Sequence, residues 1–384
     1  MKTPAIILVS GMIAADPWQG GATWAVLQYV LGLSRLGHQV YFVEPIQEKA
    51  LRPSGSTLAA SENADYFNRI VSEFGLRDRS ALLLTNAAET SGLPYEKLRQ
   101  VAGRAAVLIN ISGMLTDETL TSSIPIRVYL DLDPAFNQLW SAADGIDMRF
   151  GNHTHFVTIG LDIGEADCPI PTCGLPWLKT VQPIVLDRWP VATTIAHDAL
   201  TTIGNWRGYG SIEYGGVLYG QKAHSLRQFF SLPTLTTEKF LLALAIHKNE
   251  TNDLRALASN GWQLVDPARV AKTPSTYQQF IQGSKAEFGI AKSGYVLSRC
   301  GWFSDRSVCY LASGRPVIAQ ETGFSRHLPT GEGLFAFRSS DGVLAGIEEL
   351  RKDYPKQARQ ARRIAEQYFD SDKVLARLLE KVGG

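Results

Sequence analysis

Apolar runs of strand length alternate with segments of helical length through the first half of the chain. The strand-like runs cover residues 5–11, 39–44, 81–85, 106–112, 127–132 and 156–160, and the helical segments cover 24–36, 64–74 and 95–102. Strands separated by helices are typical of βαβ units and a parallel sheet. The pattern therefore predicts an α/β fold.

Five prolines between residues 168 and 190 interrupt this alternation. It then resumes, with predicted strands at 201–204, 240–246, 262–265, 286–291, 316–320 and 334–337, a hairpin at 211–220 and a long amphipathic helix at 356–381. A chain of 384 residues is also longer than one core usually supports. We expect a domain at 1–175, a proline-rich connector at 176–192, a second domain at 193–355 and a terminal helical segment at 356–384.

Composition and charge exclude several classes of protein. Hydrophobic residues make up 45% of the chain and charged residues 20%, as in an ordinary globular protein. The net charge of +1 gives no electrostatic support for nucleic acid or an anionic membrane as partner, although nucleic acid is not excluded. No apolar run is long enough to span a bilayer, and four cysteines do not form a disulfide framework. We expect a cytoplasmic protein, and the sequence does not indicate its oligomeric state.

Residues 298–324 contain a candidate anion site. Ser304 and Asp305 precede an apolar run and are typical helix N-caps, so a helix is predicted to begin near Ser304. The free backbone N–H groups of Ser304–Ser307 and the positive end of the helix dipole would attract a phosphate. Arg299 and Arg306 could assist, or Arg306 could pair with a neighbouring carboxylate. The helix should stop at Ser313-Gly314, before a buried strand.

The same segment resembles the nucleotide-sugar signature of GT-B glycosyltransferases of the family 1 type. The matching pieces are Cys300-Gly301-Trp302, Ser304, Gly314-Arg315-Pro316 and Gln320-Glu321. The segment departs from that signature where Arg299 replaces a histidine and Phe303 an asparagine. The two positions of the glutamate pair found in many retaining members hold Gly301 and Cys309. The resemblance implies two Rossmann-like domains, with parallel sheets flanked by helices and a terminal helix crossing back to the first domain.

The resemblance also implies that the second domain binds a nucleoside diphosphate sugar. The start of the helix at Ser304, Asp305, Arg306 and Ser307 would hold the diphosphate. Arg207 and Lys222 are candidate partners for its charge, or else solvated loop residues. Lys292 and Tyr295 follow a predicted strand and should open into the same cleft. Gln320 and Glu321 could bind sugar hydroxyls, or form a turn without a ligand.

The acceptor is expected at the loop after the first strand. Asp16 and Trp18 lie there, and Gly20 and Gly21 would allow close approach of the backbone to a ligand. Inverting relatives carry their general base after this strand, so Asp16 is the candidate base for the acceptor hydroxyl. The alternative is an Asp-Pro turn with no catalytic role.

Two further candidates lie at the ends of predicted strands of the first domain. Asp131 and Asp133 form an Asp-x-Asp pair, but Asp133 before Pro134 is typical of a helix start, so we predict no metal site. Asp131 could still face the cleft. His153, two residues before His155, could contact substrate hydroxyls or be a hydrogen-bonded structural histidine.

These features together predict a glycosyltransferase that moves a sugar to an acceptor hydroxyl. We expect it to be inverting and metal-independent, with a UDP or dTDP sugar as co-substrate, no other cofactor and an acceptor that the sequence does not identify. One alternative is a nucleotide-sugar 2-epimerase on the same scaffold. A non-catalytic nucleotide-sugar-binding protein is another.

Overall fold

A computed structural model describes residues 4–383 and contains a first sheet of eight strands. The strands are β1 Ile6–Ser10, β2 Gln39–Ile46, β3 Ser80–Leu84, β4 Glu89–Gly92, β5 Val107–Ile111, β6 Ile126–Asp131, β7 His155–Thr158 and β8 Trp177–Lys179. Their order is β4-β3-β2-β1-β5-β6-β7-β8, and only β4 runs antiparallel to its neighbour. All the strands predicted in this half are confirmed.

Helices cover both faces of this sheet. They are α1 Gly20–Arg35, α2 Glu62–Glu73, α3 Tyr95–Ala102, α4 Glu118–Thr121 and α5 Phe136–Ala143. Alternate residues of β1 enter different cores: Ile7 and Val9 pack with α1 and α2, whereas Leu8 packs with α3 and α4. Burial on both faces explains why the strands are continuous apolar runs rather than alternating ones.

The second sheet has six parallel strands. After β9 His197–Asn205 comes the hairpin β10 Ile212–Tyr214 and β11 Val217–Tyr219, then β12 Phe240–Ala245, β13 Gln263–Leu264, β14 Ser284–Gly289, β15 Val317–Gln320 and β16 Leu334–Phe337. The sheet order is β13-β12-β9-β14-β15-β16. The hairpin turns at Gly215 and Gly216, whose positive φ values of 58° and 75° suit a two-residue hairpin loop.

Nine helices belong to the second half of the described chain. They are α6 Lys222–Leu226, α7 Thr251–Ser259, α8 Pro267–Val270, α9 Pro274–Gly283, α10 Ser293–Ser298, α11 Asp305–Ala312, α12 Ser340–Lys352, α13 Tyr354–Ile364 and α14 Ser371–Lys381. The predicted start of a helix at Ser304 is confirmed: Ser304 is the N-cap of α11, and its hydroxyl accepts the Arg306 N–H.

The chain returns to the first domain at its C-terminal end. Helix α14 packs on α1 so closely that a Cβ atom on Gly32 would lie 2.5 Å from Leu375 Cδ1. The prediction of one continuous helix is wrong, because a π-helical turn at Ala365–Phe369 separates α13 from α14. Asp370 then begins α14 by accepting the Asp372 N–H.

Three other sequence predictions need correction. Strand β4 was missed because Glu89–Gly92 is polar, as an edge strand can be. Strand β8 lies inside the segment predicted as a connector, where three residues give no periodic signal. Helix α5 begins two residues later than predicted, after Ala135 at φ 70°, because the Asp133 carboxylate bonds to other partners. No helix among residues 4–383 is both long and apolar enough to cross a membrane.

Candidate functional site

The main cavity lies between the carboxyl ends of the two sheets. It has a volume of about 860 Å³ and is lined from the first domain by Trp18, Gly21 and Arg52, among others. From the second domain it is lined by residues that follow β9, β12 and β13 and by the start of α11. Strand β9 is the point where the strand order reverses, which is where open α/β sheets bind ligands.

One end of the cavity is apolar. Leu244 and Ile246 at the end of β12, Leu264 and Val265 at the end of β13, and Leu254 of α7 line it. Because apolar side chains surround a slot at the edge of a sheet, this end can accept the flat ring of a base.

A buried lysine lies behind the cavity wall at its centre. A Cβ atom on Gly204, which lines the cavity, would lie 3.2 Å from Lys222 Cε and 3.7 Å from its Nζ. The Lys222 ammonium donates to the Ile290 carbonyl oxygen at 2.5 Å. Within residues 4–383, no carboxylate lies within ion-pair distance of it, and burial together with Arg306 holds its pKa well below the usual value. The site therefore has a buried amine whose charged form a bound anion would stabilise.

The start of α11 also reaches the cavity, but its own side chains occupy it. Ser304 Oγ accepts the Arg306 N–H at 3.2 Å, and the partly buried Asp305 carboxylate, whose pKa is raised by desolvation, lines the cavity at the helix start. Arg306 Nε donates to the buried Glu287 carboxylate at 2.6 Å, and its Nη1 donates to the Ile203 carbonyl. Arg306 thus pairs with a carboxylate, as the sequence allowed, while Ser307 is buried within the helix.

The wall from the first domain combines an indole with several charges. Trp18 has a positive φ of 69°, and its Nε1 donates to Glu62 at 2.5 Å. Lys272 from the second domain lies over the Trp18 ring, 4.4 Å from its centroid. Asp16 is half-exposed beside this wall and pairs with Arg52 at 2.7 Å. These residues place an acid, a cation and an aromatic face at the cavity edge.

The two glycines of this loop have different surroundings. Gly20 N donates to the Ala271 carbonyl at 2.9 Å, and a Cβ atom there would lie 2.3 Å from the Thr273 oxygen. Gly20 therefore closes a contact between the domains. Gly21 lines the cavity, where an added Cβ atom would lie 2.9 Å from Tyr277.

Glu44, a residue that the sequence reasoning missed, holds this loop in place. Its fully buried carboxylate accepts the N–H groups of Ile13, Ala14 and Ala15 at 2.6–2.9 Å. Burial raises the pKa of Glu44 to about 7, although these three N–H groups oppose the shift. An acidic residue within the apolar run of β2 is the signal that could have found it.

Asn63, also missed, clamps the same loop from α2. Its Nδ2 donates to the Ala14 carbonyl at 2.8 Å, and its Oδ1 accepts the Arg52 N–H at the same distance. One buried amide therefore holds the backbone at Arg52 and the backbone at Ala14, two residues before Asp16.

Two candidates of the first domain lie away from the main cavity. Asp131 is fully buried and accepts hydrogen bonds from Asn137, Gln138, Thr158 and the Asp133 N–H, and burial raises its pKa to about 6. His153 lines a separate cavity of about 190 Å³. Its Nε2 accepts from Asn110 at 3.0 Å and its Nδ1 donates to the Phe150 carbonyl, so the ring is neutral in this tautomer.

Lys292 and Tyr295 close the cleft on its other side. The hydroxyls of Tyr209 and Tyr295 donate to Asp133 of the first domain, and the Lys292 ammonium lies 3.4 Å from the same carboxylate. The Lys292 ammonium is also 3.7 Å from the Tyr209 ring centroid. These residues connect the domains directly rather than lining the main cavity.

The remaining donor candidates do not meet there either. Arg207 pairs with Glu250 at the surface. Arg299, Gln320 and Glu321 come together around a second cavity of about 290 Å³, beyond β15 and β16. The structure thus groups Trp18, Gly21, Asp305 and Arg306 around the main cavity, with Lys222 behind it, and separates the rest.

Two facing parallel sheets joined by a returning C-terminal helix form the GT-B fold, and the predicted fold class is confirmed. Similar solved structures include an alpha-glucosyltransferase in complex with UDP-glucose and DNA containing an abasic site, with a TM-score of 0.61, 13% identity and 99% of both chains covered. HepE of Anabaena in complex with UDP-glucose has a TM-score of 0.60, 11% identity and 99% coverage of both chains. A glycosyltransferase from Rickettsia africae has a TM-score of 0.55 and 12% identity over 99% of this chain and 98% of that one.

These likenesses rest on structure alone. No protein-family model and no curated protein sequence matches the chain. At 11–13% identity, the three structures establish the fold that this chain shares with them.

Proposed function

We propose that this protein is a glycosyltransferase that transfers a sugar from UDP to an acceptor hydroxyl. The observation that carries the proposal is the buried Lys222 amine, which lies behind Gly204 at the switch point of the second sheet and forms no ion pair within residues 4–383. A diphosphate on the cavity side of Gly204 would stabilise its charged form. The GT-B neighbours with UDP-glucose bound support the choice of nucleotide.

The cavity divides into regions that suit the parts of this donor. The apolar slot at Leu244, Leu264 and Val265 would take the uracil ring. The diphosphate would then lie across Gly204, between Lys222 and the wall that carries Lys272. This placement moves the diphosphate away from the first turn of α11, because the Asp305 carboxylate there would repel it.

Fixed cations explain how the donor would react without a metal ion. As the bond between the sugar C1 and the diphosphate breaks, its electron pair moves to the leaving phosphate oxygen. Lys222 and Lys272 lie on either side of that position and would stabilise the developing charge. We therefore propose a metal-independent transfer.

Asp16 is the proposed general base. Its half-exposed carboxylate stands beside the cavity, where it would take the proton of the acceptor hydroxyl as the oxygen attacks C1. Attack opposite the leaving UDP inverts the configuration at C1. Trp18 and Gly21 would contact the acceptor from the same wall. Determination of the product anomer by NMR tests this step, and a retained configuration would contradict it.

The overall proposal is tested by binding and turnover together. UDP, UDP-glucose and dTDP-glucose would be compared by thermal shift, because a bound ligand stabilises the folded state. The protein would then be incubated with UDP-glucose, with and without a panel of acceptors. Transfer of the sugar supports the proposal, whereas isomerisation of the donor would indicate an epimerase. Tight UDP binding with neither reaction would indicate a binding protein.

All four cysteines are free thiols. The reducing cytosol would keep them in this state, and we propose that the protein acts there.

A further inference from the structure

The second cavity, about 290 Å³ at the carboxyl ends of β15 and β16, is rich in arginine. Arg299, Arg326 and Arg338 line it, and Glu321 is the one carboxylate among its lining residues. Arg326 forms an ion pair with Asp167 of the first domain at 2.7 Å, so it connects the two domains. Arg338 is 3.9 Å from Glu321, and Arg299 has no side-chain partner within residues 4–383. The cavity therefore carries uncompensated positive charge.

A buried amide points to a ligand in this cavity. Gln320 is only 5% exposed, and its Oε1 accepts the Ala291 N–H at 3.2 Å. Within residues 4–383 its Nε2 makes no hydrogen bond, and Gln320 lines the cavity. The amide can therefore donate to an acceptor bound there. Glu321 beside it is 7% exposed and accepts the Gly323 N–H at 2.7 Å.

The backbone fixes Arg299 at the rim. Arg299 has a left-handed φ of 47°, and Gly301 N donates to the Thr322 carbonyl at 2.8 Å. A Cβ atom on Gly323 would lie 2.7 Å from the Arg299 carbonyl oxygen, so the two turns pack without space between them. The backbone from which the Arg299 side chain extends is therefore held in place at the edge of the cavity.

We propose that this cavity is a second ligand site that binds an anionic group, a phosphate or a carboxylate, while UDP occupies the main cavity. The Gln320 amide and the guanidiniums of Arg299 and Arg338 supply donors, and the two guanidiniums supply charge. The anion has three chemical sources: a free ion, an acidic acceptor, or an acid group on the donor sugar.

The test is titration with pyrophosphate, by calorimetry, of protein saturated with UDP. Three variants would be compared: Arg299→Asn, whose asparagine tolerates the left-handed backbone, Arg338→Ala, and the control Arg104→Asn at an exposed turn of the first domain. We expect pyrophosphate affinity to fall about tenfold in each of the first two variants and to stay unchanged in the control. Melting curves would confirm that each variant is folded.

Several outcomes would overturn the proposal. Pyrophosphate binding that UDP abolishes would belong to the main cavity, and equal affinity in all variants, or no binding at millimolar concentration, would leave the second cavity without a ligand.

A further experiment, which alone rests on the proposed function, compares UDP-glucose with UDP-glucuronate. A preference for the sugar acid that Arg299→Asn removes identifies the donor as the source, and unchanged preference assigns the anion to an acceptor or a free ion. Failure of UDP binding itself would reject only the proposed function.

Discussion

Lys222 lies directly behind Gly204 of the second sheet, where an added Cβ atom would be 3.2 Å from Lys222 Cε, so only the glycine separates the lysine from the main cavity. We expect Lys222→Met, which keeps the volume and removes the charge, to weaken UDP binding at least about tenfold. The thermal midpoint should stay equal or rise, because a buried charge without a counter-ion destabilises the fold. Calorimetry and melting curves measure the two effects.

Lys248→Met, at an exposed position after β12, is the matched control and should change neither quantity. The stability of the wild type should also depend on pH. The pKa of Lys222 is lowered in the folded state, so the unfolded chain binds more protons and the stability of the wild type should rise with pH up to the usual lysine range. An unchanged UDP affinity in Lys222→Met would contradict the proposed site of the diphosphate.

Asp16→Asn is expected to reduce turnover by about 10²–10⁴-fold while leaving UDP binding intact, because only the proton acceptor is lost. Initial rates of UDP release in the presence of an acceptor measure the change. Asp78→Asn, at an exposed turn before β3, serves as the control. Turnover equal to wild type would reject Asp16 as the base.

Glu44→Gln is expected to change the pH dependence of stability. With its pKa raised from 4.5 to about 7, Glu44 in the folded state holds more protons than in the unfolded chain between these values. Its contribution is therefore present at pH 5 and is lost as pH rises towards 7. Urea denaturation at pH 5 and pH 7.5 should show a smaller difference for the variant than for wild type.

Because Glu44 binds the loop that carries Asp16, the same variant should also lower kcat/KM. The glutamine would turn an N–H₂ group towards backbone donors and move the loop. Glu48→Gln, on the exposed segment after β2, should behave as wild type in both measurements. Identical pH profiles for wild type and Glu44→Gln would show that this carboxylate does not position the loop.

Asp131→Ala is expected to destabilise the fold by about 3 kcal/mol or more, because buried donors lose their acceptor. Asp131→Asn should be milder, since one oxygen remains for Asn137 and the Asp133 N–H. Urea melts provide the comparison. A fully stable alanine variant without activity would return Asp131 to the list of catalytic candidates.

Gly20→Ala tests the contact between the domains. The added methyl group would lie 2.3 Å from the Thr273 oxygen, so the domains must separate at this point. The radius of gyration from small-angle scattering should increase, and UDP-sugar turnover should fall. Gly103→Ala, where φ is −62° and an added Cβ atom would make only ordinary contacts of 3.5 Å or more, controls for the substitution itself.

The strands could be predicted from the sequence where both faces of the sheet are buried. Strands such as β1 and β15 are apolar up to their last residue because helices cover both faces, whereas polar β4 and three-residue β8 carry no such signal. The site was harder to predict. Asp16 and Asp131 look alike in sequence, yet Asp16 is half-exposed at the cavity edge, whereas Asp131 accepts hydrogen bonds from four donors. The sequence around an aspartate does not reveal which side chains the fold will bring to it.

The two passages of the chain between the domains lie side by side. Ile184 N donates to the Phe369 carbonyl at 2.7 Å, and Ser371 N donates to the Ile184 carbonyl at 2.9 Å. A domain motion that opens the cleft must therefore bend both passages together, and the π-helical turn is part of one of them. We expect the two domains to rotate about these paired passages as about a single hinge, so the stiffness of that hinge would limit how fast a bound ligand leaves the cleft.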